Sequence, residues 1–123
     1  MKLKLDHYSI YSFKLEESIK FYSEVLGLKT LPRPEFDFPG HWFEIGNGQE
    51  LHIISGRTQN ISDLPQTRNI HYAFDCDDIA SFEIHLKKFN LPMIGPKTRP
   101  DGIVQIYIQD PDGYWIEITA TNK

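Results

Sequence analysis

Apolar and polar side chains alternate over residues 3–12, as in a strand that buries one face. Tyr8 and Ile10 share one face of this strand and His7 lies on the other, because successive side chains of a strand point to opposite sides. Residues 15–26 instead carry apolar side chains every three or four positions and are followed by Gly27, which predicts an amphipathic helix ending there. The chain is therefore expected to open with a strand and then a helix.

Three further strands are predicted in the first half of the chain. The Pro-rich segment 32–40 is typical of a loop, and the Gly-Asn-Gly sequence at 46–48 predicts a tight hairpin between two strands. A polar segment, residues 57–69, is expected to be a connector. The predicted strands are residues 28–31, 42–45 and 51–55.

The second half repeats this order of elements. A strand at 70–76 precedes a helix at 79–89, which Asp77 or Asp78 is expected to cap, and residues 95–102 are expected to form a loop. The remaining extended segments are residues 91–94, 103–109 and 114–119. We therefore predict an α+β fold of two tandem βαβββ modules that form a concave mixed sheet. The whole chain, 1–123, is expected to be one domain, with module 1 at about 1–56 and module 2 at about 70–123.

Composition indicates an ordinary globular protein, with 123 residues of which 40% are hydrophobic and 24% charged. The net charge of −4 and the lack of a basic segment argue against nucleic acid or an anionic membrane as a partner. The sequence has no membrane-length apolar run and no signal-peptide pattern, so we expect a cytoplasmic location. The single cysteine, Cys76, lies in an apolar strand pattern and is expected to be a buried, unreactive thiol.

Four polar residues occupy matching places in the two halves. His7 and His71 lie in the opening strands, and His52 and Glu117 each lie four residues after the glycine of the closing hairpin. A single histidine on a strand is more often a hydrogen-bonded or solvated residue, and His85 is expected to be solvated on the second helix, away from its phenylalanines. Three imidazoles and a carboxylate in register with a repeat, however, favour a divalent-metal site. We therefore predict that His7, His52, His71 and Glu117 bind one metal ion.

Residues in the loops provide candidates for contact with a substrate. Arg33, Arg57, Arg68 and Arg99 lie in or beside predicted loops and would suit an anionic substrate, although loop arginines are usually solvated. His41 is expected to lie in the Pro-rich loop and could line a substrate cleft. We take Arg33, His41 and Arg99 as the candidate substrate-binding residues.

Short motifs in both halves carry a resemblance to a known superfamily. In the first half they are His7, Leu-Glu-Glu-Ser-Ile-Lys-Phe-Tyr at 15–22 and Val-Leu-Gly-Leu at 25–28. In the second half they are residues 70–74, 77–79, 110–113 and 116–117. Together they resemble the vicinal oxygen chelate superfamily, which includes glyoxalase I, bleomycin and fosfomycin resistance proteins, methylmalonyl-CoA epimerase and extradiol dioxygenases. Residues 34–38 and 51–54 are most similar to glyoxalase-I-like proteins.

The resemblance implies a divalent-metal-dependent lyase or isomerase of the glyoxalase-I-like type. Such an enzyme chelates a small substrate through adjacent oxygens and stabilises an enediolate-like intermediate, with Glu117 as both metal ligand and proton-transfer base. The cofactor would be one Ni, Co, Mn, Fe or Zn ion per site. The chain departs from glyoxalase I at His52, where that enzyme generally has glutamate.

Two other function classes remain open, as does the number of chains in a site. An iron-dependent dioxygenase would use two histidines and one carboxylate, and a fourth ligand at His52 fits that chemistry less well. A thiol transferase or a ligand-sequestering, resistance-type binding protein is the other alternative. The resemblance also implies a homodimer in which His7 and His52 of one chain meet His71 and Glu117 of its partner. The partner molecule is expected to be a small substrate.

Overall fold

The computed structural model describes residues 1–56 and 67–120. The chain divides into two compact units, Met1–Ser62 and Asp63–Lys123. Positions 57–66 and 121–123 lie outside the described residues, and with them most of the expected connector and Arg57. In the described part of the chain, no helix has the length and apolar character that a membrane crossing requires.

The first unit contains a four-stranded mixed sheet and one helical segment. In the sheet the strand order is β1-β4-β3-β2, with β1 parallel to β4 and the other neighbours antiparallel. Helix α1 continues directly into a π-helical turn at Phe21–Val25. The elements are β1 (His7–Tyr11), α1 (Leu15–Lys20), β2 (Lys29–Leu31), β3 (Gly40–Gly46) and β4 (Gln49–Ile54).

The second unit repeats this topology. Its strand order is β5-β8-β7-β6, again with one parallel pair, β5 and β8. The elements are β5 (His71–Cys76), α2 (Ile79–Lys87), β6 (Ile94–Thr98), β7 (Val104–Gln109) and β8 (Trp115–Ala120). The α+β fold with two βαβββ modules is therefore confirmed.

Each sheet buries one face under its own helix. In the first unit Phe43 and Ile53 are fully buried, and the ring of Tyr22, from the helical segment, lies 6.0 Å from that of Phe43. In the second unit Leu86 of α2 is fully buried together with the apolar face of β7 and β8. That face consists of Ile106, Ile108, Ile116 and Ile118. Alternation along each strand then leaves the opposite face of each sheet for polar side chains.

Strand β6 is a correction to the sequence-based prediction, which assigned residues 95–102 to a loop. The strand runs from Ile94 to Thr98 and contains a β-bulge, since Ile94 pairs with Tyr107 and Lys97 with Gln105. The bulge brings Ile94 and Lys97 to the same face although they are three positions apart. Glycine is required within it, because Gly95 has φ of 99°. A Cβ at Gly95 would also lie 2.6 Å from the carbonyl oxygen of Gln105. A Gly-Pro sequence that is typical of a loop here forms the irregular part of an edge strand.

The structure also decides three smaller predictions, of which the first is confirmed and the other two are corrected. Asp78 is the residue that caps α2, accepting a hydrogen bond from the Ser81 amide at 3.1 Å. His85 is half-buried, and the prediction that it points away from the phenylalanines of α2 is wrong. Its ring lies 5.7 Å from that of Phe82 and 5.1 Å from that of Phe89. Cys76 is half-buried rather than buried.

Candidate functional site

The four predicted metal ligands occupy equivalent positions in the two sheets. In the parallel pair of the first unit, His7 lies opposite Glu50, and His52 follows two residues later on the same strand face. In the second unit His71 lies opposite Trp115, and Glu117 follows two residues later. The repeat seen in the sequence is therefore present in the strand register, and each unit brings one pair of predicted ligands onto one sheet face.

In the second unit, His71 and Glu117 are in direct contact. Nε2 of His71 lies 2.9 Å from Oε1 of Glu117, whose side chain is only 7% exposed. Nδ1 of His71 lies 2.8 Å from the backbone carbonyl oxygen of Arg68. Because a carbonyl oxygen only accepts hydrogen bonds, Nδ1 carries a proton. In the neutral ring the Nε2 lone pair then faces the carboxylate, an arrangement that a proton between the two atoms stabilises.

Neighbouring residues fix the other oxygen of this carboxylate. The amide nitrogen of Gln105 donates to Oε2 of Glu117 at 2.7 Å. Tyr107 lies opposite Glu117 in the strand register, and its ring is edge-on to that of His71 at 5.3 Å. The turn before β8 is held by Asp110, whose Oδ1 accepts from the amides of Asp112 and Tyr114, both at 2.9 Å. Glu117 is thus positioned by both a rigid turn and a side-chain hydrogen bond.

A cavity of about 480 Å³ opens beside His71; Glu117 is not a lining residue but contacts two of them, His71 and Gln105. Its volume lies within the range of small-molecule sites, roughly 300–1,000 Å³. Strands β6 and β7 supply four of the lining side chains, and β5 and the residues before it supply the rest. The lining residues are Arg68, Asn69, His71, Ile94, Lys97, Gln105 and Tyr107.

In the first unit, His52 lies in a stack of aromatic rings. His7 covers one face of its imidazole at a centroid distance of 4.1 Å, and Trp42 covers the other at 3.9 Å. Nε2 of His52 lies 2.8 Å from Oε1 of Glu50, and Nδ1 of His7 lies 2.8 Å from Oδ2 of Asp6. The hydrogen bond from His7 lowers the pKa of Asp6. Each histidine therefore has one ring nitrogen bonded to a carboxylate and the other available.

The second-unit pair has a geometry that suits a bound metal ion. Two ligand atoms about 2.1 Å from one ion, at right angles as seen from it, are about 3 Å apart. The 2.9 Å between His71 Nε2 and Glu117 Oε1 is compatible with this spacing, and it is also the length of an ordinary N–H···O hydrogen bond. The Arg68 carbonyl orients the His71 ring, as outer hydrogen-bond acceptors do for histidine ligands in metal sites.

The first-unit pair does not suit one shared ion in its stacked arrangement. An ion bound to an imidazole nitrogen lies close to the plane of that ring. The planes of His7 and His52 are 15° apart and their centroids are separated by 4.1 Å, so no point near both nitrogens lies in both planes. Within residues 1–56 and 67–120, no group of three or more His, Cys, Asp or Glu side chains is close enough to hold an ion. Binding by all four predicted ligands requires at least one of the stacked rings to turn, and it stays a prediction.

The three predicted substrate residues do not line the cavity of the second unit. Arg33 donates from Nη2 to the Phe38 carbonyl at 2.9 Å within its own loop. Arg99 donates from Nε to Asp101 at 3.1 Å within its own turn. His41 belongs to β3, not to the loop, and it faces the helix side of the sheet. There its Nε2 lies 2.9 Å from the Thr30 hydroxyl, and burial lowers its pKa.

Several residues of the candidate site were missed in the sequence. Glu50 was detectable, because it precedes His52 by two positions and so shares its strand face. Gln105 and Tyr107 share a face of β7, but only the pairing of β7 with β8 places them beside Glu117. The position of Lys97 on this face was not predicted, because it depends on the β-bulge in β6.

Comparison with known proteins identifies the family. A model of the Glyoxalase/Bleomycin resistance protein/Dioxygenase superfamily matches residues 4–118. The chain is 36% identical to the uncharacterised protein YwbC of Bacillus subtilis (strain 168) over 127 residues, covering 95% of this chain and 97% of YwbC. It is 30% identical to Glyoxylase I 4 of Arabidopsis thaliana over 122 residues, covering 93% of this chain and 68% of that protein.

A solved structure agrees with this assignment. The crystal structure of a glyoxalase family protein from Bacillus anthracis matches with a TM-score of 0.80 and 29% identity, covering 98% of this chain and 96% of that one. Its similarity extends across both βαβββ modules. The sequence match and the duplicated fold lead to one conclusion: the chain belongs to the Glyoxalase/Bleomycin resistance protein/Dioxygenase superfamily.

Proposed function

We propose that the protein is a divalent-metal-dependent lyase or isomerase of the glyoxalase-I-like type, acting on a small oxygenated substrate. The observation that carries the proposal is the contact between His71 Nε2 and Glu117 Oε1, 2.9 Å apart, beside a cavity of about 480 Å³. The similarity to Glyoxylase I 4 of Arabidopsis thaliana supports the same reaction class.

His71 and Glu117 are the residues that would hold the ion. The bound metal would supply a Lewis acid that stabilises negative charge developing on two adjacent oxygens of the substrate. The Arg68 carbonyl keeps the proton of His71 on Nδ1, which leaves Nε2 as the ligand atom. The low exposure of Glu117 keeps water from its carboxylate and so strengthens its attraction for a cation.

Glu117 is also the proposed proton-transfer group. Its Oε1 faces His71, and its Oε2 is held by the Gln105 amide. We assign the proton transfer to Oε2, which takes a proton from the carbon next to a substrate carbonyl and returns it to the neighbouring carbon. The proton is conserved in this exchange and no oxidant is needed, so the net reaction is an isomerisation. Gln105 acts as a positioning residue, because its hydrogen bond fixes the direction of the carboxylate.

Hydrogen exchange into the substrate tests the proposal directly. Protein purified without a histidine tag is stripped of metal and reloaded in turn with Ni, Co, Mn, Fe or Zn. It is then incubated in D2O with dihydroxyacetone, hydroxyacetone or the adduct of methylglyoxal and glutathione. NMR should show metal-dependent formation of an isomerised product, or exchange of a carbon-bound hydrogen for deuterium, in at least one of these compounds, and Glu117→Gln should abolish it.

The other function classes predict different results. An iron-dependent dioxygenase would consume oxygen with the iron-loaded protein. A binding protein would take up a ligand without any exchange. Absence of both isomerised product and exchange with every metal, or either one continuing unchanged in Glu117→Gln, would overturn the proposal.

A further inference from the structure

We propose that the substrate of this site carries an anionic group, a carboxylate or a phosphate, which Arg68 and Lys97 bind within the cavity of the second unit. The inference rests on the proposed function, since it places the anion beside the His71–Glu117 pair. It specifies the chemical class of a substrate that the reaction type leaves open.

The charge of the cavity lining is the first argument. The lining contains two cations, Arg68 and Lys97, and no aspartate or glutamate. This is unusual for a chain whose net charge is −4. Neither cation has a carboxylate partner in the described residues, whereas Arg99 and Lys87 are paired with Asp101 and Glu83. Two unpaired cations on one wall attract an anion and repel a cation.

The position of Arg68 is the second argument. Its guanidinium carbon lies 5.2 Å from the centroid of the Tyr107 ring, while its backbone carbonyl accepts from His71. A guanidinium has five N–H donors, and a contact with one ring does not use all of them, so donors remain for a carboxylate or phosphate. Because the same residue orients His71, an anion bound to Arg68 lies close to the proposed metal pair.

The bulge in β6 is the third argument. In a regular strand, Lys97 would face away from Ile94, three positions earlier. The extra residue instead puts Lys97 opposite Gln105, whose amide holds Glu117. Lys97, Gln105 and Glu117 therefore lie on the same face of the sheet, and the positive charge is directed toward the cavity that contains the candidate chemistry.

Three compounds that share a pair of adjacent hydroxyls test the inference. Glycerol is neutral, glycerate adds a carboxylate, and glycerol 3-phosphate adds a phosphate. Each is titrated by calorimetry into the metal-free full-length protein. We expect at least one of the two anions to bind roughly a hundredfold tighter than glycerol, since each of the two charged hydrogen bonds contributes about tenfold. The anion that binds tighter than glycerol shows whether the cavity prefers a carboxylate or a phosphate.

Substitutions of Arg68 and Lys97 test whether these two cations cause the higher affinity for the anion than for glycerol. Arg68→Gln and Lys97→Gln should each reduce it roughly tenfold, and added salt should weaken it. Lys87→Gln, which removes an equivalent charge from α2, should leave it unchanged. Both cations are exposed, so we expect all three variants to fold, which circular dichroism checks.

The two proposals fail in different ways. Metal affinity is measured on the same variants and should not fall in Arg68→Gln or Lys97→Gln, because removing a positive charge does not weaken the binding of another cation. If metal binds but neither anion binds tighter than glycerol, or if the higher affinity for the anion persists in both variants, the inference is overturned and the proposed function stands. If the anion preference is present but no metal binds, the proposed function fails and the anion site remains.

Discussion

The imidazole of His52 lies flat on the indole of Trp42, with ring centroids 3.9 Å apart and planes 2° apart. His7 covers the opposite face of the same ring. His52 therefore occupies the register position of Glu117 but has a different environment, stacked between two rings instead of paired with a histidine. Offset aromatic pairs contribute about 0.5–1.5 kcal/mol each beyond their buried area, so turning this ring out of the stack has a measurable cost.

Metal affinity should depend most strongly on the second-unit pair. We expect His71→Ala and Glu117→Gln each to weaken divalent-metal binding at least about a hundredfold, more than the loss of an outer-shell partner. If His52 is also a ligand, His52→Ala should weaken binding sharply, and His85→Ala should not. Calorimetric titration of metal into stripped protein measures all four. Equal effects of His52→Ala and His85→Ala would remove His52 from the ligand set.

The stack around His52 can be tested separately. If His52 must leave the stack to bind metal, Trp42→Leu should reduce the cost of turning the ring and tighten metal binding up to about tenfold. The control is the double variant Trp42→Leu/His52→Ala, in which the gain in metal affinity should disappear. A gain that persists without His52 would mean that Trp42 acts by another route.

Gln105 should affect metal binding without touching the ion. Gln105→Leu leaves Oε2 of the nearly buried Glu117 without its donor, and we expect metal affinity to fall roughly tenfold to a hundredfold. Gln109 lies on the same strand and donates to the Gly113 carbonyl, so Gln109→Leu is a matched control that should leave metal affinity unchanged. Equal losses in both variants would indicate general damage to β7.

His41 should make the protein less stable in mild acid. Burial lowers the pKa of His41, so the unfolded chain binds this proton more readily than the folded one. The resulting stability penalty is absent well above the unfolded-state pKa of about 6.5 and develops as the pH falls below it. Urea unfolding at roughly pH 7.5 to pH 5 should show a smaller loss of unfolding free energy in His41→Gln than in the wild type. His85→Gln is the control, and an unchanged pH dependence in His41→Gln would contradict the assignment.

A homodimer with shared metal sites stays a prediction, and subunit mixing tests it. Once each variant alone is shown to have lost metal binding, His7→Ala and Glu117→Ala are unfolded together and refolded. If each site takes residues from two chains, a mixed dimer contains one site lacking both residues and one intact site, so about a quarter of all sites should bind metal after random pairing. If each site lies within one chain, none should recover. Proven subunit mixing without any recovery would end the shared-site hypothesis.

The sequence contained enough information for the duplicated fold and for the register of the four predicted ligands. Strand alternation and the hairpin glycines before His52 and Glu117 fix which face each side chain occupies. The contact of His85 with Phe82 and Phe89 was also predictable, since residues three and four apart on a helix are neighbours.

Other features depend on contacts between distant segments. The loop contact of Arg33 with Phe38 and the ring stack on His52 are set by tertiary packing and have no local signal. The strand position of His41 was obscured by the Pro39-Gly40 sequence before it, which is typical of a loop. For Arg33, His41 and His52 the sequence suggested a functional role, but their contacts could be identified only from the structure.

The extra residue in β6 sets the orientation of Lys97 without involving the strands that carry His71 and Glu117. His71 and Glu117 lie on the two parallel strands at one side of the second sheet, whereas Lys97 lies on the edge strand at the other side. A change that regularised β6 at constant length would turn Lys97 to the opposite face and leave the other three strands in register. Related proteins can therefore diverge in the charge of the molecules they accept through a single backbone irregularity on an edge strand, while the pair proposed to carry the chemistry is inherited unchanged.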